Sequence, residues 1–77
     1  MNRVRRQALA NCKAKLAELM EDLMVIAEAE DEVIESLPES IRYSERWEDA
    51  ENDLAELNDA IDALDDICDI LDAIVEV

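Results

Sequence analysis

From Trp47 onward the apolar positions are separated alternately by three and four residues: Trp47, Ala50, Leu54, Leu57, Ile61, Leu64, Cys68, Leu71 and Val75. That alternation holds a seam on one side of an α-helix through four heptads. The first half of the chain repeats it in Leu9, Cys12, Leu16, Leu19, Leu23, Ile26, Glu30, Val33 and Leu37, with Glu30 the one charged member. Pro38, the single proline, lies between the two runs, where it lacks an amide donor and turns the residue before it away from helical geometry. Glycine is absent and Ala, Leu and Glu abound, so intrinsic preference favours helix on both sides of that break. The pattern predicts an all-α fold, an antiparallel and coiled-coil-like two-helix hairpin. It forms one domain over residues 1–77, with helix 1 over about 3–36, a turn over about 37–43 and helix 2 over about 44–75.

Folding the chain back about Ser40 pairs residues whose numbers sum to about 80. Leu9 then meets Leu71, Cys12 meets Cys68, Leu16 meets Leu64, Leu19 meets Ile61, Leu23 meets Leu57, Ile26 meets Leu54, and Val33 meets Trp47. This register puts Cys12 and Cys68 in one layer, within the Cα separation a disulfide tolerates; buried reduced thiols are the other reading, and a reducing compartment favours it. Ser40 or Ser44 caps helix 2, with Glu48 in its acid-favouring first turn. Glu30 either snorkels to water or Arg46, or forms a polar layer that sets register. Trp47 reads as core, and Tyr43 as a partner anchor or an aromatic cap on the hairpin end.

Beside the seam each helix carries surplus apolar residues: Ala60, Ala63, Ile67, Ile70 and Ile74 on the second, Met20, Met24, Ala27 and Ile34 on the first. The combined face is wider than one partner helix covers, so the hairpin is expected to dimerise into a four-helix bundle unless a different partner fills that place. The expected interface is Ile67, Ile70 and Ile74 with Met20 and Met24.

Composition narrows the chemistry further. The 77 residues hold 22 Asp and Glu against 7 Lys and Arg, a net charge of -15, with no His and no Gly. Without glycine there is no phosphate-cradling loop, and without histidine the commonest general base and metal ligand is missing. Two isolated cysteines do not make a zinc site, and the Asp-rich run from Asp59 to Asp72 lacks the glycine turn and ligand spacing of a calcium loop. Ser36, Ser40 and Ser44 have no adjacent base, and carboxylates on a solvated helix face are not driven to different pKa values as acid and base roles demand. No enzymatic activity, cofactor or metal is expected. The longest apolar run, Leu23 to Ala27, is too short for a membrane span or a secretory core, so a soluble cytoplasmic protein is expected.

The charges are polarised along the sequence. Residues 1–15 carry five basic and no acidic side chains, while residues 16–77 carry two basic and 22 acidic ones. Arg3, Arg5, Arg6, Lys13 and Lys15 either come to lie beside Asp69, Asp72 and Glu76 at the C-terminal end of helix 2 or form a basic tip that contacts phosphates. Asp59, Asp62, Asp65, Asp66, Asp69 and Asp72 recur every three to four residues, with no basic residue after Arg46. Over a hairpin of about 50 Å the excess is one negative charge per about 2.5 Å, against one per about 1.7 Å on duplex DNA. Such a surface either is merely solvated or imitates a nucleic-acid backbone.

The turn Leu37-Pro38-Glu39-Ser40, the stretch Tyr43-Ser44-Glu45-Arg46 and the run Asp59-Ala60-Ile61-Asp62-Ala63-Leu64-Asp65-Asp66 resemble short acidic helical-hairpin proteins of bacterial phages and mobile elements. In size and charge the chain also resembles anti-CRISPR proteins. That resemblance implies an inhibitor that occupies the nucleic-acid site of a Cas nuclease. The expected partner is then a protein with a basic nucleic-acid-binding cleft, met by Asp59, Asp62, Asp65, Asp66, Asp69 and Asp72, while direct binding to nucleic acid is not expected. A homodimeric assembly or adaptor module without mimicry is the alternative. In hairpin form the chain also resembles small dimeric RNA-binding regulators, a role that would use Arg3, Arg5 and Arg6.

Overall fold

The computed structural model describes residues 1–76 and consists of two helices packed side by side. Helix α1 runs Arg3–Glu35 and helix α2 runs Glu45–Val75, giving an antiparallel hairpin whose Cα trace measures 59 × 15 × 13 Å. Among the described residues there is no strand, and no helix is long and apolar enough to cross a membrane.

Local chemistry accounts for the helix ends. The Asn2 side chain accepts the Arg5 amide hydrogen at 2.9 Å and that of Ser44 accepts the Trp47 amide hydrogen at 3.3 Å, so each helix starts on a side-chain cap. Glu45 and Glu48 in the first turn of α2 complement its positive dipole end. Neither helix has a basic residue in its last turn, and in both cases an arginine from elsewhere supplies the cation. Arg42 from the turn donates to the Glu35 carbonyl at 3.0 Å, and Arg6 from α1 donates across the hairpin to the Ile74 carbonyl. This second contact is a reason for Arg6 at the start of α1, an end where the helix dipole alone disfavours a cation.

The connection is a compact turn. The Pro38 carbonyl accepts from the amides of Ile41 at 2.9 Å and Arg42 at 3.3 Å, and the Ile41 carbonyl from that of Ser44 at 3.2 Å. Tyr43 holds a left-handed backbone conformation, φ 68°, which a bulky residue adopts only at a cost of about 1–2 kcal/mol. Its ring lies 5.2 Å from that of Trp47, a tilted aromatic contact that offsets part of that strain.

The seam matches the sequence pattern on α2, where Trp47, Ala50, Leu54, Leu57, Ile61, Leu64, Cys68, Leu71 and Val75 are all buried or half-buried. On α1 only half of the expected seam is correct. Leu9, Leu16, Leu23, Glu30 and Leu37 do face inward, but Cys12, Leu19, Ile26 and Val33 are exposed, and the inward positions are instead Arg6, Lys13, Met20, Ala27 and Ile34. Helix α1 is thus turned by about 50° from the expected phase, keeping one seam column and exchanging the other for its neighbour. The rotation brings Arg6 and Lys13 onto the acid-rich C-terminal half of α2, where Lys13 forms an ion pair with Asp72. In the expected phase Arg5 and Cys12 would occupy those places.

Glu30 stays half-buried in the seam without an ion pair to Arg46. Glu30→Leu is expected to add apolar burial there, raising stability by about 1 kcal/mol and the thermal midpoint by about 4–8 °C, as thermal circular dichroism would register. An unchanged or lower midpoint would mean that the carboxylate contributes something an apolar side chain does not.

Candidate interaction surfaces

The seam divides the hairpin into two long faces of different chemistry. One face contains an open groove of about 430 Å³ whose lining includes Met24, Ala27, Leu54 and Ile61, with the polar Glu28, Asp31, Asn58 and Asp62 around them. These contacts establish which sides of the two helices lie together. Successive residues advance about 100° around a helix, so positions seven apart return to nearly the same side. Asp65 and Asp72 therefore continue the line of Asn58, Asp69 continues that of Asp62, and Asp59 and Asp66 lie one column further out. The side chains of Asp59, Asp62, Asp65, Asp66 and Asp69 are exposed; Asp72 is half-buried against Lys13.

The same construction adds residues from α1 that the sequence reading had not assigned to this face. Glu28 and Asp31 reach the groove itself, and Glu21 and Glu35 stand in the column of Glu28 at seven-residue spacing. The seven-residue spacing was visible in the sequence, but its side of the hairpin followed only from the phase of α1. The acidic face consequently draws on both helices.

No protein-family model matches this chain, and no curated protein or solved structure does. Function must accordingly be read from the surfaces themselves.

The opposite face is apolar along α1 and along the C-terminal half of α2, while Arg46, Asp49, Asp53 and Glu56 occupy it nearer the turn. On α1 it carries Cys12, Leu19, Ile26 and Val33, seven residues apart; on α2 it carries Ala60, Ala63, Ile67, Ile70 and Ile74. Ile26 is 56% exposed, Val33 55% and Ile70 62%, which for large aliphatic side chains leaves most of their hydrophobic area in water. Of the residues expected at an oligomer interface, Ile67, Ile70 and Ile74 lie on this face. Met20 instead occupies the hairpin seam, and Met24 is exposed beside the groove on the acidic face. The expected common layer of Cys12 and Cys68 is not formed, because this turn of α1 leaves Cys12 exposed while Cys68 is buried, and both thiols are free.

Of the basic residues, Arg6 is committed to the Ile74 carbonyl and Lys13 to Asp72, while Arg3, Arg5 and Lys15 are exposed. The hydrogen bond to Asp72 raises the Lys13 ammonium above its ordinary value of 10.5, against a smaller lowering by desolvation. A base whose pKa is higher in the folded chain stabilises the fold fully below its unfolded value and loses that contribution as pH rises through the folded one. Wild-type protein is thus expected to lose more thermal stability than Lys13→Met between about pH 10 and 12, in scans at fixed ionic strength. Parallel losses in the two proteins would show that the pair does not contribute.

Among the described residues no group of three or more Cys, Asp or Glu is placed to hold a metal ion. The acidic columns run along the helices instead of converging, an arrangement suited to a broad cationic surface.

Proposed function

We propose that this chain is a non-enzymatic, cytoplasmic interaction protein that acts as a homodimeric four-helix bundle. Its acidic face competes with nucleic acid for the basic cleft of a DNA- or RNA-binding protein, and a Cas nuclease is the kind of effector to which the anti-CRISPR resemblance points. The observation that carries this reading is the continuous exposed acidic face: Asp59, Asp62, Asp65, Asp66 and Asp69 stand beside the carboxylates of α1, and the Lys13–Asp72 pair is the one ion pair among the described residues. Carboxylates in this array repel one another, so the arrangement costs stability and gains from a cationic partner. Association with such a partner is steered by charge and weakens as salt rises.

The test is retention of host proteins on immobilised wild-type chain and on a variant with Asp62, Asp65, Asp66, Asp69 and Asp72 changed to Asn, each at low and high salt and with duplex DNA as competitor. Mimicry requires a nucleic-acid-binding protein that is held by wild type, displaced by DNA and not held by the variant. Equal retention by both proteins sinks it.

The exposed isoleucines favour a second reading, an assembly module whose working surface is the apolar face. In that case polar substitution of Ile67, Ile70 and Ile74 removes both dimerisation and function, and the Asn substitutions do little. A third reading, a basic RNA-binding tip, would rest on the exposed Arg3 and Arg5, since Arg6 is turned onto α2.

A further inference from the structure

The isolated hairpin, a rod of 59 × 15 × 13 Å, exposes more surface than a compact globular chain of its mass. Its accessible area is 5995 Å². A monomeric globular protein of 8.7 kDa exposes about 4,700 Å². The surplus is roughly 1,250 Å² per chain; removed from two chains at once, it makes an interface of roughly 2,500 Å², within the range of obligate homodimers. The apolar face is the surface on which a second copy can remove it. Leu9, Leu16, Leu23, Leu57, Leu64 and Leu71 sit half-buried at the border of that face and would be sealed by the same contact.

Two hairpins can stack face to face with their turns at the same end or at opposite ends, and the charges separate the two arrangements. The turn end, residues 28–53, holds eleven Asp and Glu against Arg42 and Arg46, a net of -9. The open end, residues 1–15 with 65–76, holds five basic and five acidic side chains and is neutral. Stacking with turns together sets two strongly negative ends side by side. Reversed stacking lays each negative end over a neutral one that offers Arg5 and Lys15.

We infer that a second copy of this chain docks on the apolar face in reversed orientation, α1 against α1, about a two-fold axis passing beside Leu19. The inference rests on the dimeric reading above and specifies its geometry. Leu19 is the midpoint of Arg3–Glu35, so an axis there overlaps the two α1 helices along their whole length. Such an axis brings together α1 residues whose numbers sum to about 38. Leu19 meets Leu19, Cys12 meets Ile26 and Arg5 meets Val33. Lys15 and Asp22, which occupy one column on the outer edge of the face, come level across the interface and form two symmetry-related ion pairs. On the other edge Ala60 and Ala63 lie near the axis, where small side chains let the α2 helices approach closely.

Cys12, exposed and on the face, is a built-in reporter. In full-length Ile26→Cys, mild oxidation with diamide is expected to give a covalent dimer linked between Cys12 and the new cysteine, mapped by peptide mass spectrometry. Residues 12 and 26 of one helix are about 21 Å apart and cannot bridge within a chain. Ile70→Cys, which lies near Cys12 of the other copy only when the turns are together, is expected to give no such link. Folding of both variants is checked by circular dichroism, and wild type by light scattering. Independently of any cysteine, Lys15→Asp is expected to weaken the dimer about tenfold, and the swap Lys15→Asp with Asp22→Lys to restore it.

Cross-linking of the Ile70 variant in place of the Ile26 variant would overturn the reversed orientation and leave the dimer standing. Monomeric wild type at about 100 μM would overturn dimerisation together with this geometry, since obligate dimers of this interface size bind well below that concentration. Failure of the acidic face to bind a basic protein would bear on neither.

Discussion

Ile34→Ala is expected to unfold most of the hairpin at ambient temperature, while Val33→Ala, one residue away, leaves a folded chain. Ile34 is 3% exposed, the most completely buried of the large side chains, and packs in the seam near the turn. Removing three of its carbons costs about 2–5 kcal/mol in lost burial and residual cavity, against the roughly 3–5 kcal/mol that a core of this size supplies in total. Val33 is 55% exposed on the apolar face, so within one hairpin its truncation costs less than about 1 kcal/mol. Circular dichroism thermal scans at several protein concentrations distinguish the two roles. The Ile34 loss is expected at every concentration. The Val33 loss is expected to grow with concentration, as the proposed dimer would gain stability by association that the variant partly forfeits. Were Val33→Ala the more damaging at the lowest concentration, α1 would be in the phase that the sequence predicts and not in the one described here.

Changing Asp62, Asp65, Asp66, Asp69 and Asp72 together to Asn is expected to stabilise the helices while removing partner binding, a separation of stability from function. These five residues take part in seven like-charge pairs three or four residues apart, from Asp59–Asp62 to Asp72–Glu76. At about 0.2–0.5 kcal/mol per pair the repulsion sums to roughly 1.5–3.5 kcal/mol at low ionic strength. Asn and Asp have similar helix propensity, so little is lost in exchange apart from the Lys13–Asp72 contact. A gain of several degrees in thermal midpoint at low salt, shrinking at high salt, is the expected signature. Equal midpoints at low salt would show that the acidic face is not under electrostatic strain and gains nothing of this kind from a cationic partner.

The two faces make separate demands on one short sequence. The apolar face needs Leu19, Ile26, Ile67 and Ile70 outside the seam, where each lowers the solubility of an isolated hairpin; the acidic face supplies charge that keeps separated chains apart. Arg6 and Arg42 close the carbonyl ends of the helices with cations drawn from other elements, leaving the last turn of α2 free to be acidic.

The sequence by itself determined two helices, a break at Pro38, the antiparallel hairpin and the whole seam of α2. Alternation of three and four is unambiguous there, because no second column beside the seam is equally apolar through the full helix: Asp53 and Glu56 interrupt it. It also determined the acidic composition of α2, since a run of aspartates without cations is local information. The phase of α1 was not legible. Leu9, Leu16 and Leu23 can be joined to a seam either with Cys12, Leu19, Ile26 and Val33 or with Lys13, Met20, Ala27 and Ile34, and counting apolar side chains favours the first set. Tertiary structure decides for the second, because only contact with α2 rewards Arg6 at the Ile74 carbonyl and Lys13 at Asp72. From that rotation follow the placement of Cys12 away from Cys68, the membership of Glu28 and Asp31 in the acidic face, and the apolar face opposite. Each depends on contact between the two helices, which periodicity within either helix does not encode.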